Sequence, residues 1–215
     1  MAEIKFCGMT RAEDARAAGA LGARYVGVIF AESPRRVSDA QAREILAAAP
    51  NGTARAGVFG AVSAGEIADA AARLGLDVVQ LHGDPDVGAV AAVRARWAGR
   101  VWAVVRVAGD ALPESATPLF DVADAVVLDA RVAGKLGGTG VTLPWNRLRD
   151  LMAPLRGRRA KLVLAGGLDP ANVAHAVEAL EPDVVDVSSG VESSVGVKDH
   201  DRMRAFRNAV VGDRA

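Results

Sequence analysis

One cysteine occurs in 215 residues, and it closes a short apolar run, Ile4-Lys5-Phe6-Cys7, just before Gly8. Such a run reads as a strand that ends in a tight turn. Thr10 then opens a helical pattern with Glu13 three residues on, the spacing of a capping box. In parallel α/β folds the C-terminal ends of strands are where chemistry is done, and a thiolate placed there is a base. The competing reading of Cys7 is a small buried hydrophobe, the usual state of a free cysteine. Asp129 ends a second apolar run, Asp124-Ala125-Val126-Val127-Leu128-Asp129. A partly desolvated carboxyl has a raised pKa and serves as an acid near neutral pH. Equally, Asp129 could be a structural cap for the next segment.

Two glycine turns, Gly166-Gly167 and Ser188-Ser189-Gly190, also follow apolar runs. Glycine lets a ligand approach the backbone closely, and serine hydroxyls add donors. This suits phosphate, gripped by N–H groups and the start of a short helix over residues 191–197. Neither turn contains lysine or arginine, and the nearest basic residue, Lys198, lies beyond that helix. Ordinary turns are the alternative. Ser33-Pro34-Arg35-Arg36 places two guanidinium groups on one loop. They suit bidentate binding of a carboxylate or phosphate, or else form a solvated basic loop. His82 is a polar wall residue of a site or a satisfied strand-end histidine. Gly137-Gly138-Thr139-Gly140 suits a lid. No cluster has metal-ligand spacing, and no cofactor fingerprint is present.

The elements that must position these residues alternate regularly. Strands are expected near residues 2–7, 24–30, 53–59, 77–81, 101–105, 124–129, 161–165 and 183–187. Each precedes an alanine-rich helical stretch. Ser38 with Gln41, and Ser63 with Glu66, have capping-box spacing. Asp84-Pro85 and Asp169-Pro170 read as a cap followed by proline at the first helical position. Thr142 caps a helix beginning near Pro144. The helix within residues 109–122 contains Pro113 and Pro118 and is short or broken. A last helix covers residues 199–210. Eight strand–helix units in this length point to a single (β/α)₈ TIM barrel, residues 1–215 forming one domain. An open doubly wound sheet usually carries Gly-x-Gly-x-x-Gly after its first strand, and none follows Cys7.

Composition narrows the class. Apolar residues make up 51% and aromatics only 4%, so the core is aliphatic. With 26 basic and 26 acidic side chains, the chain lacks the electrostatic footprint of a nucleic-acid binder. No apolar run approaches the roughly 20 residues needed to span a bilayer. The N-terminus has no signal-peptide pattern. One cysteine suits a reducing compartment. The expectation is a cytoplasmic monomer with no membrane partner and no cofactor.

The chain resembles the phosphoribosylanthranilate isomerase family from end to end. The resemblance rests on Lys5-Phe6-Cys7-Gly8-Met9-Thr10, Ser33-Pro34-Arg35, Gly57-Val58-Phe59, Gln80-Leu81-His82-Gly83, Leu128-Asp129, Gly137-Gly138-Thr139-Gly140, Ala165-Gly166-Gly167-Leu168-x-Pro170-x-Asn172-Val173 and Asp186-Val187-Ser188-Ser189-Gly190-Val191-Glu192. Two departures are visible: Arg36 stands where the family often has an aromatic, and Leu143-Pro144-Trp145 replaces a common Phe-polar-Trp. The resemblance makes this one domain, residues 1–215, a catalytic one, and implies an Amadori rearrangement of N-(5-phosphoribosyl)anthranilate to 1-(2-carboxyphenylamino)-1-deoxyribulose 5-phosphate. It implies Cys7 as base, Asp129 as acid and Arg35 on the anthranilate carboxylate. His82, Gly138, Gly166, Gly167, Ser189 and Gly190 then complete the substrate site. As a thiolate, Cys7 must be helped by local positive potential or by a shift on substrate binding, since a free thiol titrates at about pH 8.5. Two rivals stand beside this reading. The barrel isomerase of histidine biosynthesis carries an aspartate at the position of Cys7. A non-catalytic phosphosugar-binding barrel would need neither Cys7 nor Asp129.

Overall fold

The computed structural model describes residues 1–107, 111–130 and 145–212. Eight parallel strands close into a barrel in sequential order, β1-β2-β3-β4-β5-β6-β7-β8. They are β1 (Glu3–Phe6), β2 (Tyr25–Ile29), β3 (Ala54–Phe59), β4 (Val78–Leu81), β5 (Arg100–Val107), β6 (Ala125–Ala130), β7 (Lys161–Leu164) and β8 (Val184–Val187). The helices between and after them are α1 (Ala12–Ala20), α2 (Asp39–Ala47), α3 (Ala64–Leu74), α4 (Val87–Arg94), α5 (Ala116–Val122), α6 (Trp145–Met152), α7 (Val173–Leu180) and α8 (His200–Val211).

Two apolar layers hold this arrangement. Side chains alternate along a strand, so each strand feeds both. The outward set, including Phe6, Val26, Val28, Val79 and Leu128, packs beneath the helices. The inward set is smaller and built from unequal sizes: Tyr25 and Trp102 meet edge to face, while Ala54, Ala56 and Ala125 leave room for them. Mixing large and small inward residues fills a barrel too narrow for large ones throughout.

The capping boxes at Ser38–Gln41 and Ser63–Glu66 both form. Four expectations need correction. Arg11, not Thr10, precedes α1, and it makes no side-chain cap; the Thr10 hydroxyl donates instead to the carbonyl of Gly196. Asp86, not Asp84, caps α4, accepting from the Ala89 N–H at 2.7 Å, because its backbone is extended where Asp84 is left-handed at φ 51°. Asp169 accepts from the N–H groups of Ala171 and Asn172, capping one turn, and α7 begins only at Val173. Residues 191–197 hold no helix. A single 3₁₀ turn, Ser189–Val191, leads into a hairpin of β9 (Glu192–Ser194) and β10 (Val197–Lys198). The helix α5 is indeed short, with Pro118 in its first turn, where a missing N–H does no harm. The expected lid at Gly137-Gly138-Thr139-Gly140 and the cap at Thr142 lie outside the described residues.

Candidate active site

Strand pairing fixes which side chains enter the barrel. Lys5 is level with Tyr25 and Asp186, Val58 with Gln80, and Arg106 with Asp129. Tyr25 and Trp102 belong to the inward set, so inward positions continue as Cys7 just after β1, His82 after β4, Arg106 on β5 and Asp129 on β6. All four line one cleft at the C-terminal face, together with Arg35, Gly166, Gly167, Ser188 and Ser189. Phe59, which also ends a strand, points outward and stacks on Phe30 at 5.0 Å.

Cys7 is buried, and burial pushes its thiol up; Lys5 and Lys198 pull against that, while Asp186 adds to it. Opposite, Asp129 Oδ2 lies 3.7 Å from His82 Nε2, with each side chain about a quarter exposed (26% and 25%). Burial, then the charges of Arg106 and Lys5, hold the His82 pKa below its ordinary value. That direction favours the neutral imidazole over the imidazolium. Arg35 is half-buried and faces the cleft, whereas Arg36 is exposed outside it. The Ser33 hydroxyl accepts from the Arg35 N–H at 3.1 Å, which sets the loop that aims it. Its guanidinium forms a bidentate pair with Glu192, both contacts at 2.7 Å.

The two glycine turns pack against each other. Gly166 and Gly167 sit at φ 85° and 68°, a left-handed conformation that only glycine adopts cheaply. Asn172 ties this turn down by donating its side-chain amide to the Gly167 carbonyl at 2.8 Å. At Gly190 the demand is different. A Cβ there would come within 2.0 Å of the Leu168 carbonyl oxygen, so the second turn closes on the first only without a side chain.

Comparison with known proteins decides the family. The family model for N-(5'phosphoribosyl)anthranilate (PRA) isomerase matches residues 4–209. The N-(5'-phosphoribosyl)anthranilate isomerase of Acidithiobacillus ferrooxidans is 42% identical over 214 residues, 99% of this chain and 98% of that one. The chain belongs to the N-(5'-phosphoribosyl)anthranilate isomerase family. It is an isomerase of tryptophan biosynthesis. The Thermotoga maritima member superposes with a TM-score of 0.87 at 34% identity, covering 98% of this chain and 99% of that one. A further solved isomerase, crystallised in complex with reduced 1-(o-carboxyphenylamino)-1-deoxyribulose 5-phosphate, gives 0.83 at 33% identity, with 98% and 99% covered.

Four residues around this isomerase cleft escaped the sequence reading. Arg106 was lost because β5 runs two residues past the expected end at 105; it donates to the His82 carbonyl and to Asp84. A hairpin stands where the sequence predicts a short helix, and it brings in Glu192 and also Lys198, which was expected to lie beyond that helix and away from the turn. The hairpin folds Lys198 back, so its Nζ donates to the Ser188 carbonyl at 3.0 Å and to Glu192 at 2.9 Å. A buried cation thus stands directly behind the second glycine turn. Lys5 was passed over inside an apolar run, although strand alternation puts it on the same face as Cys7.

Proposed function

We propose that this isomerase carries out the Amadori rearrangement with Cys7 as general base and Asp129 as general acid. Asp129 protonates the furanose ring oxygen of N-(5-phosphoribosyl)anthranilate, the C1′–O bond breaks, and the anilino nitrogen's lone pair makes the Schiff base. Cys7, as thiolate, removes the C2′ proton, and the resulting enolamine tautomerises to the ketone. The observation that carries this reading is the convergence of Cys7 and Asp129 on one cleft, which Arg35 and both glycine turns also line. Arg35 holds the anthranilate carboxylate, and Gly166, Gly167, Ser189 and Gly190 hold the phosphate. His82, beside Asp129 and with its pKa lowered by burial, borders the reacting sugar. Gly138, expected as a further substrate-binding residue, lies outside the described residues. A relative crystallised in complex with reduced 1-(o-carboxyphenylamino)-1-deoxyribulose 5-phosphate supports a ligand of this class.

No helix among the described residues is long and apolar enough to cross a membrane. We further propose one catalytic domain acting as a monomer in the cytoplasm, to be checked by analytical ultracentrifugation. The test of function is the loss of phosphoribosylanthranilate fluorescence on adding purified protein. Turnover that disappears in Asp129→Asn supports the assignment. A wild-type protein with no turnover, or an Asp129→Asn variant with full turnover, contradicts it.

A further inference from the structure

Lys5 is fully buried inside the barrel on β1, one layer below Cys7, which lies just after that strand on the same face. Its ammonium donates to Asp186 at 2.6 Å and to Gln80 at 2.9 Å, and it stands 5.9 Å from the Trp102 ring centroid. An ion pair in such a place is poorly explained by stability. Taking both charges out of water is expensive, and apolar replacements of similar volume are often neutral or stabilising. Buried ions with a specific partner in a cleft are more often functional.

Gly27, on the neighbouring strand, is what lets the ammonium stem and the thiol lie together. A Cβ there would come within 2.9 Å of Cys7 Sγ and 3.2 Å of Lys5 Cε. Both atoms therefore occupy the space a side chain would fill. Other charges also face the thiol. Asp186 comes from β8, Lys198 from the hairpin and Arg35 from the loop after β2. His82, Arg106 and Asp129 line the cleft from β4, β5 and β6. Of the groups that act on Cys7, Lys5 is the strongest in favour of the thiolate. Burial works against the Lys5 ammonium itself, but Asp186 and Cys7 outweigh it and keep its pKa above the ordinary lysine value.

We propose that Lys5 is a positioning residue for the base: its ammonium, pinned from below by Asp186 and Gln80, stabilises the Cys7 thiolate from inside the barrel. This rests on the reading of Cys7 as the base. It reduces the penalty that burial places on the thiolate, although with Lys5 in place burial still holds the Cys7 thiol above its ordinary value. Asp186 has a second part in this, since it fixes the ammonium while opposing the thiolate, so the balance depends on both.

Cys7 is the only cysteine, so thiol chemistry reports on it alone. The experiment is the pH dependence of alkylation by iodoacetamide, alongside kcat and KM, in wild type, Lys5→Met and Lys5→Met/Asp186→Asn. The double variant avoids leaving Asp186 as an unpaired buried carboxylate. Removing an opposite charge at close range should raise the alkylation midpoint by roughly 1–3 pH units, with the neutral-pH rate falling about tenfold per unit. Turnover should fall in parallel and recover as pH is raised, with KM little changed; a merely structural lysine would give no alkaline rescue. Gly27→Ala, which keeps every charge but forces Sγ and Cε apart, should move the midpoint the same way. Because the double variant also loses Asp186, which itself opposes the thiolate, it is compared with Asp186→Asn alone, and a midpoint no higher than that variant's overturns the proposal. If the midpoint rises but kcat does not follow, Lys5 does hold the thiolate, and it is the assignment of Cys7 as base that fails.

Discussion

Gly190→Ala adds one methyl group at the point where the two glycine turns meet. The added Cβ would start 2.0 Å from the Leu168 carbonyl oxygen, where contacts below 3.0 Å are essentially never found. Either Leu168 or the Ser188-Ser189-Gly190 turn must therefore move by about 1 Å (3.0 − 2.0). Leu168 follows directly on Gly167, so a shift there carries into the first turn as well. Misplacing a binding group by 1 Å costs on the order of 10²-fold, or about 2.7 kcal/mol. We expect KM for substrate and Kd for inorganic phosphate each to rise about a hundredfold by this measure. The assays are substrate fluorescence for KM and calorimetric titration for phosphate, with a thermal melt and circular dichroism as controls on the fold. A folded variant with wild-type KM and wild-type phosphate affinity would refute the reasoning and remove these turns from the site.

Further outcomes follow from the rest of the cleft. Arg35→Ala should raise KM roughly 10- to 100-fold, the worth of a charge-assisted hydrogen bond, while exposed Arg36→Ala changes it little; the reverse ranking in steady-state kinetics would shift the register of the loop. Burial pushes the Glu192 carboxyl up, but Arg35 and Lys198 outweigh it and hold its pKa below the ordinary value. A depressed carboxylate stabilises the fold above its unfolded pKa and is lost as pH falls through the folded one. Melting temperature should thus drop below about pH 4.5 in wild type, and less steeply in Glu192→Gln, in melts run from pH 6 to 3. Among the described residues no three His, Cys, Asp or Glu side chains gather as metal ligands would. Activity should accordingly survive dialysis against EDTA, and loss reversed by a divalent ion would contradict that.

The barrel was legible because its signal is repeated eight times: β-branched runs alternate with alanine-rich helices, and each repeat supports the others. The strand-end residues were legible for the same reason, since a parallel barrel gathers all its C-terminal ends on one face. Local punctuation was less readable. Ser38 and Ser63 cap as their spacing suggests, but Thr10 has the same spacing and bonds instead to Gly196, a partner 186 residues away. The pairing of Lys5 with Asp186 spans 181 residues and depends on barrel closure, so no local pattern contains it. One signal was present all the same. If Cys7 faces inward, Lys5 must too, and a lysine forced into a barrel interior needs an anion. The hairpin at residues 192–198 was hidden because Val191-Glu192-Ser193-Ser194-Val195 offers no clear period, and its fold is held by Arg35 and Lys198, which both donate to Glu192.

The measurement closest to the central claim is kcat of Cys7→Ala at saturating phosphoribosylanthranilate, with the fold checked by circular dichroism. Losing a positioned proton-transfer group lowers turnover by about 10²–10⁴-fold. We predict a fall in that range with KM close to wild type, because the thiol takes the proton and does not hold the substrate. Turnover within a few-fold of wild type would contradict the account and return Cys7 to the role of a small buried hydrophobe.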